Sequence, residues 1–525
     1  KSIVLEGKNE GDYKIKANYP VTVTFYDVNH QKVGSLDLTT NEFGTVNGSF
    51  TAPQGVLNGQ MYIYDGYGTV YFSVEEYKRP KFETKLNEVK GSFRINDSVI
   101  VGGIAKAYSG NAIDGAKVSY RVVRRVNYPY WWWWYRSYYN NASTEISSGT
   151  VLTNDTGGYV IKFKASPDES VSKKSQATYL YEISADVTDI NGETHSSRSY
   201  VHVGYQSIVL SVGMEENTNK ADIHPLTITA NNLNGVAEAT KGNFSIYKLK
   251  TPQRIFRSRL WSQPDRHSLS KEEYYKTFPN DLYADELNRY KWEKAEKVFE
   301  MGFDTGIKTK LDLSAELKSK DPGVYVIEAE CKDKFGENVK AFAYFTLFAA
   351  GTSEPPYACT DWFYSGVSTA EPGEKGNFIQ ASSYPNANYL YEVEVKDKTV
   401  LTKTISASMN LNEIKIEEVH RGNLAFHTTF IKQNRLYTHA SVITVPYTNK
   451  ALDIEFSTFR NKLLPGEEEE WKMVIKDKKG DKVTAELMAT MYDASLDAFR
   501  SNYWSFDIYK TYYGRASWAS GIGHS

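Results

Sequence analysis

The chain has little cysteine, little histidine, no excess of charge of either sign and no long apolar run. Its two cysteines, Cys331 and Cys359, cannot make a disulfide framework or a Cys-based zinc site, and each reads as a small buried hydrophobe. The 62 basic and 64 acidic side chains leave a formal net charge of −2. That balance removes the sequence-independent electrostatic case for nucleic acid or an anionic membrane surface. No apolar run reaches the roughly 18 residues of a membrane helix. Lys1 opens the chain without a signal-peptide pattern, as in an exported protein whose leader has been removed.

Catalytic patterns are missing as well. The nine histidines are scattered, with no HExxH or other zinc-ligand spacing. There is no GxSxG elbow, no Walker loop and no GxGxxG after a strand. Ser170–Lys173 and Ser268–Lys271 match S-x-x-K, but neither has a supporting SDN or KTG. Asp189-Ile190-Asn191-Gly192 is like part of a calcium loop without its late Glu, and a β-turn explains it better. No catalytic, cofactor-binding or metal-binding residue emerges, so an enzyme is not expected.

What is present is β-structure. Val21–Tyr26, Gln60–Tyr64, Thr69–Val74 and Lys117–Val122 alternate at period two, are rich in β-branched and aromatic residues, and end at Gly, Asn or Asp. Aromatic residues reach 14%, and the 39 tyrosines suit strands that bury a ring and leave its hydroxyl in water. Internal echoes point to one module used repeatedly. Thr40-Asn41-Glu42-Phe43-Gly44 returns as Thr153-Asn154-Asp155-Thr156-Gly157. The stretch from Tyr181 to Glu193 aligns without gaps on Tyr325 to Glu337, each a strand, an Asp…Gly turn and a returning strand. Pro372-Gly373-Glu374 is echoed by Pro465-Gly466-Glu467. The expected fold is all-β, a tandem array of immunoglobulin-like antiparallel sandwiches. The echoes divide the chain at 1–77, 78–204, 205–349, 350–447 and 448–525.

Two stretches break this pattern. From Thr251 to about Glu300 the chain turns charged and helical in character ('SKEEYYKTF', 'DELNRYKWEKAEKVF'). Ser270 with Glu273 is a capping box, and Pro279 stops that short helix. A mostly helical insertion in the third module is expected, either a solvated flap or a docking surface. The second stretch, Tyr130, Trp131, Trp132, Trp133, Trp134 and Tyr135, falls between two strands of the second module. Period-two burial hides at most about half of these rings. The loop is therefore the candidate interaction site, against its own neighbouring module or a partner. Consecutive rings cannot form a coplanar platform for sugars.

Phe72-Ser73-Val74-Glu75-Glu76-Tyr77-Lys78-Arg79-Pro80-Lys81-Phe82 resembles the junction between the second and third macroglobulin domains of the α2-macroglobulin family. Leu464-Pro465-Gly466-Glu467, followed by Ala485–Asp497 with Met491-Tyr492-Asp493, resembles the sixth, in the form of bacterial, Bacteroidetes-type members. The resemblance implies macroglobulin-type sandwiches and part of a broad-spectrum endopeptidase inhibitor, a trap that needs no catalytic residue or cofactor. It implies target endopeptidases as partners, engaged through parts of the parent protein outside this chain. It also implies the periplasm or cell surface as location, with membrane contact only through a lipid anchor outside the chain. The CxEQ thioester motif is absent: Cys331 lies in Glu-Cys-Lys-Asp and Cys359 in Ala-Cys-Thr-Asp. The resemblance thus implies a fragment carrying the structural frame. Arg500, Lys510 and Arg515 lie in a Tyr/Ser-rich tail that leads into a bait segment or forms a closing strand. The alternative function is a structural, adhesive or carbohydrate-binding array.

Overall fold

The computed structural model describes residues 1–7, 13–75, 80–128, 143–458, 460, 466–481, 483–492, 497, 503 and 508–517. These residues form antiparallel sheets, with one short parallel pairing of Asn217–Asn219 on the end of Asn338–Phe348. Hairpins recur because one turn chemistry recurs. At Asn41, Asn154, Asp189 and Asp333 the side-chain oxygen accepts the N–H groups two and four residues on. The N–H three residues on donates to the same residue's carbonyl. That third position is left-handed, with φ +70° at Gly44, +76° at Gly157, +82° at Gly192 and +85° at Gly336, so glycine is the residue that enters it without strain. Asp189 is therefore a turn residue. The first two echoes, at 40–44 and 153–157 and at 181–193 and 325–337, are repeats of this turn.

Three double-layered cores follow one another. In the first, a three-stranded sheet (Phe82–Leu86, Ser98–Ala107, Gly158–Lys164) packs on a four-stranded one (Lys117–Asn127, Thr144–Leu152, Thr178–Thr188, Thr194–Gly204). Val101, Ile161, Tyr181, Ile183 and Val201 meet between the layers. The second joins strands between Ile208 and Phe348 around Ile228, Phe244, Ile327 and Phe345. The third pairs a sheet of Trp362–Ser365, Lys375–Ala381 and Asn412–Lys415 with one of Asn388–Val395, Lys398–Ser406, Leu424–Lys432 and Arg435–Ile443. Phe378, Tyr391, Phe426 and Ile443 fill it. A four-stranded sheet from Pro20 to Val74 precedes these cores, and the hairpin of Leu452–Thr458 with Lys472–Asp477 follows them.

Two expectations need correction. Several tyrosines are wholly buried, hydroxyl included. Tyr179, Tyr181, Tyr325 and Tyr389 are each 1% exposed or less. Their burial is tolerated where a backbone carbonyl takes the proton: Tyr181 donates to Ser166 O at 2.8 Å and Tyr325 to Asp321 O at 2.7 Å. Each such ring contributes about 1.5–3 kcal/mol.

The insertion is not mostly helical. Its one α-helix is Lys271–Thr277, capped by Ser270 and Glu273 as expected. Lys294–Asp304 is a strand, paired with Lys241–Leu249 from Asp304↔Lys241 to Lys294↔Leu249. The charged Glu-Lys spacing favours helix locally, but Phe299, Met301 and Phe303 alternate, and pairing plus core contact outweighs propensity. The insertion proper is the connection between these two paired strands.

Candidate functional site

The sandwiches are fastened at their junctions by side chains whose roles are already set in the turns. Asp333 holds its own turn through Oδ1. Its Oδ2 accepts from Ser207 N at 2.8 Å and Ser207 Oγ at 3.0 Å, in the linker before the second core. Both residues are buried. Burial pushes the Asp333 carboxyl up. The Ser207 and Glu337 N–H groups, the Ser207 hydroxyl and the Phe335 N–H outweigh it and leave the pKa lowered. Asn234, in the neighbouring turn, accepts from His202 N and donates to Gly91 O, both at 2.8 Å. Arg94 lies over the Phe335 ring at 4.4 Å. Between the second and third cores, Phe348 packs edge-on against Trp362, centroids 4.9 Å apart.

The insertion is a brace between these last two cores. Arg257 binds Asp281 through Nε and Nη2 and donates from Nη1 to Gln433 O at 2.9 Å, across the tip of the Leu424–Lys432/Arg435–Ile443 hairpin. Gln433 and Asn434 both have positive φ (51° and 56°), the tight two-residue turn that brings this carbonyl forward. The hydrogen bonds from Arg257, helped by its charge, hold the Asp281 carboxyl below its ordinary value. Arg257 thus ties the insertion to the third core.

The most elaborate arrangement lies on the outer face of the third core's four-stranded sheet. In Asn388–Val395, Tyr389, Tyr391, Val393 and Val395 point inward. Glu394 points outward, yet it is 4% exposed, and its neighbour His427 is 6% exposed. The cover is residues 508–517. His427 Nε2 lies 2.7 Å from Glu394 Oε2, and the same oxygen accepts Arg515 N at 3.0 Å and Ala516 N at 3.1 Å. Tyr512 N donates to Gly422 O at 2.7 Å, and the Tyr512 ring is buried. Tyr509 stacks on Tyr447 at 4.9 Å, while the Arg515 guanidinium reaches Asp397 at 2.9 Å. Lys396 and Asp397 form another left-handed turn pair, φ 50° and 58°, which presents that carboxylate. Burial pushes the Glu394 carboxyl up, but the Ala516 N–H, His427 and the Arg515 N–H outweigh it and lower the pKa. A buried carboxylate that accepts consecutive backbone N–H groups is an anchor for an extended peptide segment.

Sequence reading alone does not find Glu394 or His427. Each sits in an ordinary strand, their mutual contact joins residues 33 apart, and the strap N–H groups on Glu394 are 121 and 122 residues away. The expected interaction loop, Tyr130, Trp131–Trp134 and Tyr135, lies outside the described residues. The strands flanking it are paired, Arg124 opposite Thr144. Ser170 and Lys173 do not form a nucleophile pair: Ser170 Oγ donates to Asp168 at 2.6 Å, and Lys173 pairs with Glu337 at 2.9 Å. Lys271 pairs with Glu286 at 3.5 Å. On the first sheet Tyr26 and Tyr62 stack on each other at 4.8 Å with an interplanar angle of 12°, so these faces meet each other and make no platform for a sugar. Among the described residues no group of three His, Cys, Asp or Glu is placed to hold a metal ion.

No protein-family model matches the chain. It is 27% identical over 117 residues to an α2-macroglobulin from Thermotoga maritima, a match covering 22% of this chain and 8% of that protein. Among solved structures it is similar to trypsin-activated α2-macroglobulin from Escherichia coli, with TM-score 0.45 and 12% identity over 89% of this chain and 31% of the other. A Salmonella α2-macroglobulin mutant gives TM-score 0.33 and 11% identity over 90% of this chain and 30% of the other. The chain therefore spans under a third of the length of these two structures and matches less than a tenth of the Thermotoga protein.

Proposed function

We propose that this chain is the structural frame of an α2-macroglobulin-like endopeptidase inhibitor of the bacterial cell envelope, in a parent protein anchored as a lipoprotein. On this reading the five units are 1–77, 78–204, 205–349, 350–447 and 448–525, all macroglobulin-type sandwiches. The observation that carries the reading is the 117-residue similarity to the Thermotoga α2-macroglobulin. The fastened junctions are compatible with it, because a trap must hold its domains at set angles until it is triggered. The chain's own residues would act by positioning and not by catalysis. Covalent capture would belong to other parts of the parent protein, since residues 1–525 carry no CxEQ motif.

Trapping and simple binding are separated by substrate size. Mixed at equimolar ratio with a trypsin-type endopeptidase, the parent protein should suppress hydrolysis of a large protein substrate and spare a small peptide ester. Residues 1–525 should leave both activities unchanged. A parent that leaves protein hydrolysis untouched would refute the family function. Inhibition by residues 1–525 alone would refute the assignment of trapping chemistry to other parts.

A further inference from the structure

Residues 508–517 cross the outer face of a sheet far from them in sequence, and they are fastened by side chains rather than by an added strand ladder. Tyr512 N donates to Gly422 O, a backbone hydrogen bond between the two. Further fastenings are the Glu394 carboxylate on two consecutive N–H groups, the Tyr447 hydroxyl on Lys510 O at 3.2 Å, the pairing of Arg515 and Lys510 with Asp397, and the Tyr509–Tyr447 stack. The fit is close at two glycines. Gly514 has φ +82°, and a Cβ there would stand 2.8 Å from Ala425 Cβ and 3.1 Å from both Glu394 Oε2 and His427 Nε2. Gly422 has φ +90°, and a Cβ there would stand 2.7 Å from Lys510 O.

We propose that residues 508–517 are a releasable strap and that Glu394 is the catch that holds it closed. The four-stranded sheet beneath has its own ladders and core, so the strap can leave without unmaking the sandwich. Removal takes two donors from Glu394 and bares Ala425 and His427 to water. It also frees the peptide bonds after Lys510 and Arg515 for attack by a trypsin-type protease. A segment attached by few interactions opens at a lower free energy than the sheet it covers. The strap's release does not depend on whether the protein traps proteases.

Closure is coupled to the charge of the catch. The titratable and charged groups around Glu394 are Glu392 and His427 on the sheet, Asp397 at the turn, and Lys510 and Arg515 on the strap. Glu392 stands opposite His427 in the register. Lys510 and Arg515 both lie against Asp397, so the strap meets Glu394 through its backbone N–H groups, beside His427. With the strap closed the Glu394 pKa is lowered. Its contribution to closure is therefore full above the ordinary glutamate value and is lost as pH falls through the lowered one.

The test is hydrogen exchange of peptides spanning 508–517 in the full chain, corrected for intrinsic rates, with trypsin cleavage after Lys510 and Arg515 as a second readout. Glu394→Gln weakens the catch. Gly514→Ala acts from the strap: it replaces no residue of the sandwich and sets a Cβ against Ala425, Glu394 and His427. Both variants should raise strap exchange and cleavage about tenfold or more, with exchange in Asn388–Val395 and Leu424–Lys432 unchanged. In the unaltered chain, strap protection should hold from pH 7 to about 5 and fall below about 4. Strap protection that is unchanged in both variants overturns the proposal. So does protection lost only together with that of the strands beneath.

Discussion

Asp333 and Asp189 build the same turn, and that duplication isolates the worth of a junction. In each, Oδ1 accepts two backbone N–H groups, so Ala at either position removes the same turn bonds. They differ in the other oxygen. Asp189 Oδ2 accepts the Asn191 side chain at 3.0 Å, an exposed bond. Asp333 Oδ2 grips Ser207 N and Oγ, which are buried with it. Asp333→Ala therefore also strands a buried N–H and a hydroxyl in the linker, at about 1–3 kcal/mol for an unsatisfied buried donor. The expected difference between the variants is about 2–3 kcal/mol, Asp333→Ala being the worse. Denaturant-dependent native-state hydrogen exchange, read on peptides covering 205–213, measures it without assuming two-state unfolding of the whole chain. Because the folded Asp333 pKa is lowered, the difference should be present above about pH 4 and shrink as acid carries the group through its folded value. Equal losses for the two variants would refute the reasoning, since the linker contact would then contribute nothing.

Asp281→Ala leaves Arg257 without its carboxylate at a partly buried site. It should loosen the insertion by about 2 kcal/mol, seen as faster trypsin cleavage within 251–293 while the second core stays protected. Cleavage no faster than in the unaltered chain would remove the brace from the account. Burial raises the Cys331 thiol and pushes Cys359 up to about 12. Neither should react with a thiol reagent at pH 8 in the native chain, and both should react in denaturant. Native labelling of Cys359 would contradict its placement beside Phe348 and Trp362.

The period-two alternation and the Asx-Gly turns made the β architecture legible, because both are local: a strand's faces and a left-handed turn position are written in adjacent residues. The Ser270–Glu273 cap was legible for the same reason, as it spans one helical turn. The helical reading of 294–304 failed because an edge strand's choice of partner outweighs the propensity of its own residues. The full burial of Tyr179 and Tyr181 was hidden too, since it depends on carbonyls supplied by another segment.

The candidate site shows where local information stops. Nothing in the strand Asn388–Val395 distinguishes Glu392 from Glu394, and alternation alone puts both in solvent. Only the tertiary structure lays the N–H groups of Arg515 and Ala516 on Glu394, 121 and 122 residues away. Residue type and spacing decide which way a side chain points from its strand. What covers that side chain is decided by where the rest of the chain returns, and on that depends whether a carboxylate is a solvated surface charge or a buried anchor.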